Sequence, residues 1–92
     1  MDFTWHPRKR RENLRKHGID FVDVVPVFER LHLVRRDDRE DYGEDRWVAM
    51  GYLKDVLIVV VHTEEHDGAV QFISAREATR HEAKAFHRKR GF

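Results

Sequence analysis

The run Val56-Leu57-Ile58-Val59-Val60-Val61, followed by His62, does most to limit the folds open to this chain. Successive side chains of a strand point to opposite faces of its sheet. A segment apolar at every position is therefore a central strand covered on both sides. It falls far short of the roughly 20 residues that a membrane helix needs. Its neighbours supply the rest of a sheet. Leu31-His32-Leu33-Val34-Arg35 alternates as a strand does, and Arg46 to Leu53 sets Trp47, Ala49 and Gly51 on one face and Val48, Met50 and Tyr52 on the other. Lys54-Asp55 makes a tight link. Glu65-His66-Asp67-Gly68 is a turn with an Asp-Gly signal, and Ala69 to Ile73 returns as a further strand. Phe3-Thr4-Trp5 is either a short edge strand or an anchor, with Trp5 in the core.

Helical signals frame the strands. Pro7 suits a first turn, where its missing N–H costs little. Arg8 to His17 is rich in good helix formers, and Gly18 ends the helix. Asp20 caps a second helix over about Phe21 to Arg30, in which Pro26 removes a bond to the Val22 carbonyl and shortens or kinks it. At the other end Ser74 reads as an N-cap and Glu77 as its capping-box partner. A closing helix from Ala75 to about Lys89 would then carry Arg76, Arg80, Lys84 and Arg88 along one side. The expected fold is α+β: two N-terminal helices, a four-stranded, largely antiparallel sheet and a C-terminal helix in one domain, residues 1–92.

The 92 residues contain no cysteine, so no disulfide framework or thiolate metal site is available. No apolar run of signal-peptide length opens the chain; the expectation is a soluble, cytoplasmic protein. Net charge is only +1, but it is segregated. Basic residues crowd both ends, and Asp37, Asp38, Glu40, Asp41, Glu44 and Asp45 crowd the middle. Converging basic ends would form a patch suited to phosphate; the alternative is that the charges only solvate a small domain.

Few chemistries fit the remaining side chains. His62-Thr63-Glu64-Glu65-His66 has the wrong residue order for a zinc-protease helix. Ser74 is the only serine, which argues against a Ser-His-Asp hydrolase. Arg, Lys, His and Glu around a sheet suffice for RNA cleavage without a metal or other cofactor. The 2′-hydroxyl attacks the adjacent phosphate, a base takes its proton, an acid protonates the leaving 5′-oxygen and cations hold the added charge. Composition alone does not separate this from simple RNA binding.

Order and spacing add a resemblance. Phe3-x-Trp5, Lys9, Asn13, Lys16-His17-Gly18-Ile19-x-Phe21 and Val27-Phe28 resemble the BrnT family of bacterial toxins. So do Glu44-x-Arg46 with Gly51, Val60-Val61-His62-Thr63, and Ile73-Ser74-Ala75-Arg76-x-Ala78-Thr79-x-x-Glu82. The resemblance implies a RelE-like fold and a ribonuclease toxin of a type II toxin–antitoxin pair that halts translation. It also implies a BrnA-like, ribbon-helix-helix antitoxin, through which alone the complex touches operator DNA. Two positions depart from the family pattern: His6 stands where aspartate is common, and Phe86 where tyrosine is. The alternative they raise is a catalytically degenerate module that only binds antitoxin or RNA.

The candidate catalytic residues are His17, Glu44, Arg46, Arg76 and Glu82, with Lys9, Lys16 and Arg80 as RNA contacts. Arg46 and Arg76 either stabilise phosphate or pair with Glu44 and Glu82 to hold the fold. Histidine is the residue type that exchanges a proton near neutral pH, which favours His17 as acid or base; its competing role is to close its helix. Glu44 and Glu82 act as bases or orient the arginines. A homodimer of the free protein is a further expectation.

Overall fold

A computed structural model describes residues 2–30, 32–39, 41 and 43–89. The elements are β1 (Phe3–Thr4), α1 (Pro7–His17), α2 (Phe21–Phe28), β2 (Leu33–Arg36), β3 (Trp47–Leu53), β4 (Val56–Glu64), β5 (Val70–Glu77) and α3 (Arg80–Lys89). They form one mixed sheet of five strands in the order β1-β5-β4-β3-β2, with the apolar β4 at its centre. The four strands expected from sequence become five because Phe3-Thr4 pairs parallel with Val70-Gln71, and Val70 N–H donates to the Asp2 carbonyl at 2.8 Å. The other pairings are antiparallel.

The helices start and stop where local chemistry places them. His6 caps α1 by accepting from Arg8 N–H, Pro7 opens it, and Gly18 leaves it at φ 71°, a conformation that glycine adopts without a Cβ clash. Asp20 accepts from Val22 N–H at the start of α2. With Pro26 in its last turn, α2 ends at Phe28, two residues before the expected Arg30.

Helix α2 presses Phe21, Val24 and Val27 against Ala49, Ile58, Val60, Phe72 and Ala75, all buried. Gly51 permits the close approach: a Cβ there would meet Val27 Cγ1 at 2.7 Å. Residues of alternate parity (Val48, Met50, Val59) face the other way, and α3 lies over part of that face. Its buried Phe86 stands edge-on to Tyr52 at 6.0 Å.

The β5–α3 junction corrects the sequence reading. Ser74 and Glu77 lie inside β5, paired with Val61 and Ile58 of β4, so neither caps a helix. The working capping box is the next match to the same pattern. Thr79 Oγ1 accepts from Glu82 N–H at 3.1 Å, and Glu82 Oε1 accepts from Thr79 N–H at 2.9 Å. Arg76 therefore sits on a strand, and the expected four-cation helical stripe loses its first member. The basic ends converge only in part: α1 lies along β5, which carries Arg76, whereas Lys89 borders Leu33, Val34 and Arg35 at the far edge of the sheet.

Candidate active site

On the α3 face, Arg76 and Glu82 form a bidentate pair, Nη1–Oε1 and Nη2–Oε2 both at 2.8 Å. Arg76 Nη1 also donates to the Glu77 carbonyl at 3.2 Å. A guanidinium has five N–H donors. These bonds leave Nε–H and one Nη2–H of Arg76 without a partner among the described residues. The two adjoin along one edge of the group, the geometry with which arginine takes two oxygens of a phosphate. Glu82 is fixed from both sides. The bond from Arg76 first, and then the Thr79 N–H, hold its carboxyl down at about 2. Arg76 is raised in turn by Glu82, while the positive charge of Arg39 opposes it.

Arg46 adjoins the same face. Trp47 pairs with His62, and Ala49 beyond it is buried under α2, so alternation sends Arg46 to the α3 side. Its Nε lies 3.5 Å from Glu44 Oε1. Asp37 N–H donates to the Arg46 carbonyl at 2.8 Å, extending the β2–β3 ladder by one rung. The Asp37 side chain is wholly buried, and it grips Arg39 by Nε and Nη2 at 2.8 and 2.9 Å. A buried carboxylate in so polar a loop has no local sequence signal, and Arg39 was not among the expected site residues.

Lys9, Lys16 and His17 form a second group, on α1. They border a shallow groove of about 130 Å³ with Glu12, Asn13, Ile73 and Ser74. Asn13 explains how this helix is held to β5. Its side-chain amide accepts from Ala75 N–H and donates to the Ala75 carbonyl, both at 2.9 Å, and donates also to the Ile19 carbonyl. Where β1 ends, Asn13 satisfies the open backbone of β5 as a neighbouring strand would. The two groups meet β5 two residues apart, at Ser74 and at Arg76. Arg80, the third expected RNA contact, is the exposed first residue of α3.

His62 lies outside both groups. It is buried on the α2 side, its ring edge-on to Phe28 at 5.1 Å, and neither ring nitrogen has a hydrogen-bond partner among the described residues. Burial first, then the nearby His32, pushes it down to about 4. The two departures from the family pattern have structural roles. His6 accepts the N–H bond that a capping aspartate would accept. Phe86 is the buried anchor of α3, where a ring matters more than a hydroxyl.

A family model described as "Ribonuclease toxin, BrnT, of type II toxin-antitoxin system" matches residues 5–82. The chain belongs to the BrnT toxin family. The match extends from Trp5 to Glu82 and so takes in the α1 groove and the Arg76–Glu82 pair. Among solved structures, the chain is similar to the Brucella abortus ribonuclease toxin BrnT, known from a 1.1 Å crystal structure. The TM-score is 0.68 with 28% sequence identity, covering 87% of this chain and 99% of that one. No curated protein matches. Membership in this family brings an antitoxin partner with it. Among the described residues no helix is long and apolar enough to cross a membrane.

Proposed function

We propose that this BrnT-family chain cleaves RNA at the β5 edge without a metal ion and thereby stops translation. The observation that carries the reading is the Arg76 guanidinium, fixed end-on by Glu82 with its phosphate-gripping edge left open. Lys9 and Lys16 draw the RNA strand along α1, and Arg80 extends the contact. The 2′-hydroxyl forms a bond to the adjacent phosphorus as the bond from phosphorus to the 5′-oxygen breaks. His17 takes the 2′ proton or supplies the proton to the departing 5′-oxygen, and water makes the other transfer. Arg76 and Arg46 hold the charge that gathers on the phosphoryl oxygens. A carboxylate held at about 2 is a poor proton acceptor at neutral pH, so Glu82 serves by orienting Arg76, and Glu44 does the same for Arg46. The partner is a BrnA-like antitoxin of ribbon-helix-helix type, which makes the contacts to operator DNA. The RelE-like kinship of the fold belongs to the same reading.

The test is induction of the chain alone in bacteria, together with incubation of the pure protein with RNA in EDTA. Growth arrest, and fragments ending in 2′,3′-cyclic phosphate and 5′-hydroxyl, are expected. A 2′-deoxy substitution at the cut site abolishes cleavage. Unimpeded growth with intact RNA contradicts the proposal.

A further inference from the structure

The loop between β2 and β3 is mostly acidic, yet besides Arg46 it carries a second cation, Arg39, to the face that carries Arg76. Strand register defines that face. Val59 pairs with Arg76 and with Met50, and Val61 with Val48 and Ser74. Continuing the β2–β3 ladder one rung past Arg36–Trp47 sets Asp37 opposite Arg46, and alternation turns both toward the α3 side. Asp37 is 4% exposed as a residue, and its carboxylate accepts from Arg39 Nε, Nη2 and the Arg39 backbone N–H at 2.8, 2.9 and 3.3 Å. Such a side-on, two-bond grip fixes the plane and direction of a guanidinium. The Arg39 side chain nevertheless stays 62% exposed. Its charge is felt at Arg76, which sits three strands away from β2 in the sheet order. The grip of Asp37, which stands opposite Arg46, holds Arg39 on the face shared by Arg46 and Arg76.

Two like charges brought together gain nothing from each other. Exposed arginines do not need a buried carboxylate to stay in solution, and burying Asp37 costs free energy unless it is paired. Holding a cation rigidly beside Arg76 and Arg46 does serve the binding of a polyanion, because no side-chain ordering is then left for the ligand to impose. We propose that Arg39 is a third phosphate-binding residue of this site, contacting the backbone of the bound RNA strand, and that Asp37 is its positioning residue. This rests on the RNA-cleaving reading above for the identity of the ligand, but its test does not depend on cleavage.

The probe is a mixed-sequence, fully 2′-O-methylated oligonucleotide, which cannot be cut by 2′-hydroxyl attack. Its affinity is followed by fluorescence anisotropy from low to moderate salt. Each phosphate neutralised on a single strand contributes about 0.7 to the slope of log affinity against log salt. Arg39→Ala is expected to weaken binding about tenfold at low salt and to flatten the slope by about 0.7. Because that variant strands the Asp37 carboxylate, the double variant Asp37→Asn/Arg39→Ala is measured beside it. It is expected to regain part of the thermal midpoint that Arg39→Ala loses and to show the same flattened slope. Arg39→Lys keeps the charge and is expected to keep the slope. Wild-type affinity and slope in both alanine variants overturn the proposal, as does a wild-type protein that fails to bind the probe. Cleavage of the matching all-ribose oligonucleotide is assayed in parallel. A wild type that binds but does not cut refutes the ribonuclease reading, and the slopes still decide the part played by Arg39.

Discussion

On the face beneath α2, Phe72 is fully buried and its ring lies 5.4 to 6.0 Å from those of Phe3, Trp5, Phe21 and Phe28. On the face beneath α3, Phe86 is the one buried residue of the helix, the strands bury Val48, Leu57 and Val59, and arginines held by carboxylates lie beside this smaller apolar patch. The first face is made of interactions that need no direction, and it sets stability. The second adds to a smaller apolar patch directed, charge-assisted bonds that fix where cations point and contribute modestly to stability when exposed. The contrast teaches that losses of stability and losses of function should separate by face, although every residue concerned hangs on the same strands.

The separation can be broken most forcefully at Phe72. Phe72→Ala leaves a cavity among the aromatic rings and is expected to cost about 3 to 5 kcal/mol, measured by urea denaturation; a loss below about 1 kcal/mol removes the premise. Next comes His62, also on the α2 side. Its imidazole is buried neutral, lowered from 6.5 to about 4. Between those values the unfolded chain binds the proton and the folded one does not. Stability is therefore complete above about pH 6.5 and falls as pH drops toward 4, by roughly 3 kcal/mol in all. His62→Leu is expected to flatten that window in thermal melts taken across it. An unchanged pH profile assigns the acid sensitivity elsewhere, for example to Glu82, whose contribution is lost at lower pH, from about 4.5 down to about 2.

Asn13 sharpens the comparison because it lies at the seam between the two faces. Asn13→Ala leaves buried Ala75 N–H and C=O unpaired and is expected to cost roughly 2 kcal/mol. Hydrogen exchange at the Ala75 amide should speed up well beyond what global destabilisation accounts for. The smallest effect is expected on the outer surface of α1. Arg8 and Glu12 form an exposed pair at 3.1 Å, and Arg8→Ala should move the thermal midpoint by an amount worth less than about 0.5 kcal/mol.

How much of this was legible in the sequence depended on how local each signal was. Pro7, Gly18 and Asp20 act on their own few residues, and α1 and α2 appear within two residues of where these signals place them. Alternation along β3 and the continuous apolar run of β4 also identify themselves. The start of α3 did not, because Ser74-x-x-Glu77 and Thr79-x-x-Glu82 are equally good capping boxes. The choice between them is made by pairing with β4, more than ten residues earlier in the chain. Asn13 bonds Ala75 across 62 residues, and Asp37 is buried although it opens a polar, acidic loop. Neither fact has a local trace. The structure sets Arg76 with Glu82 as a pair, Arg46 beside Glu44, and Lys9, Lys16 and His17 along one groove. Arg39 was hidden among acidic neighbours.

The central claim is that Arg76 acts on substrate beyond what its pair with Glu82 does for stability. Single-turnover cleavage of one RNA oligonucleotide by wild type and by Arg76→Ala, each at saturating protein and with its thermal midpoint recorded, tests it most directly. The expected result is a rate about a hundredfold lower from a variant that loses about 1 to 3 kcal/mol with the Glu82 pair but stays folded at the assay temperature. A variant that cleaves at the wild-type rate, or one whose loss of rate is matched by unfolding, contradicts the account.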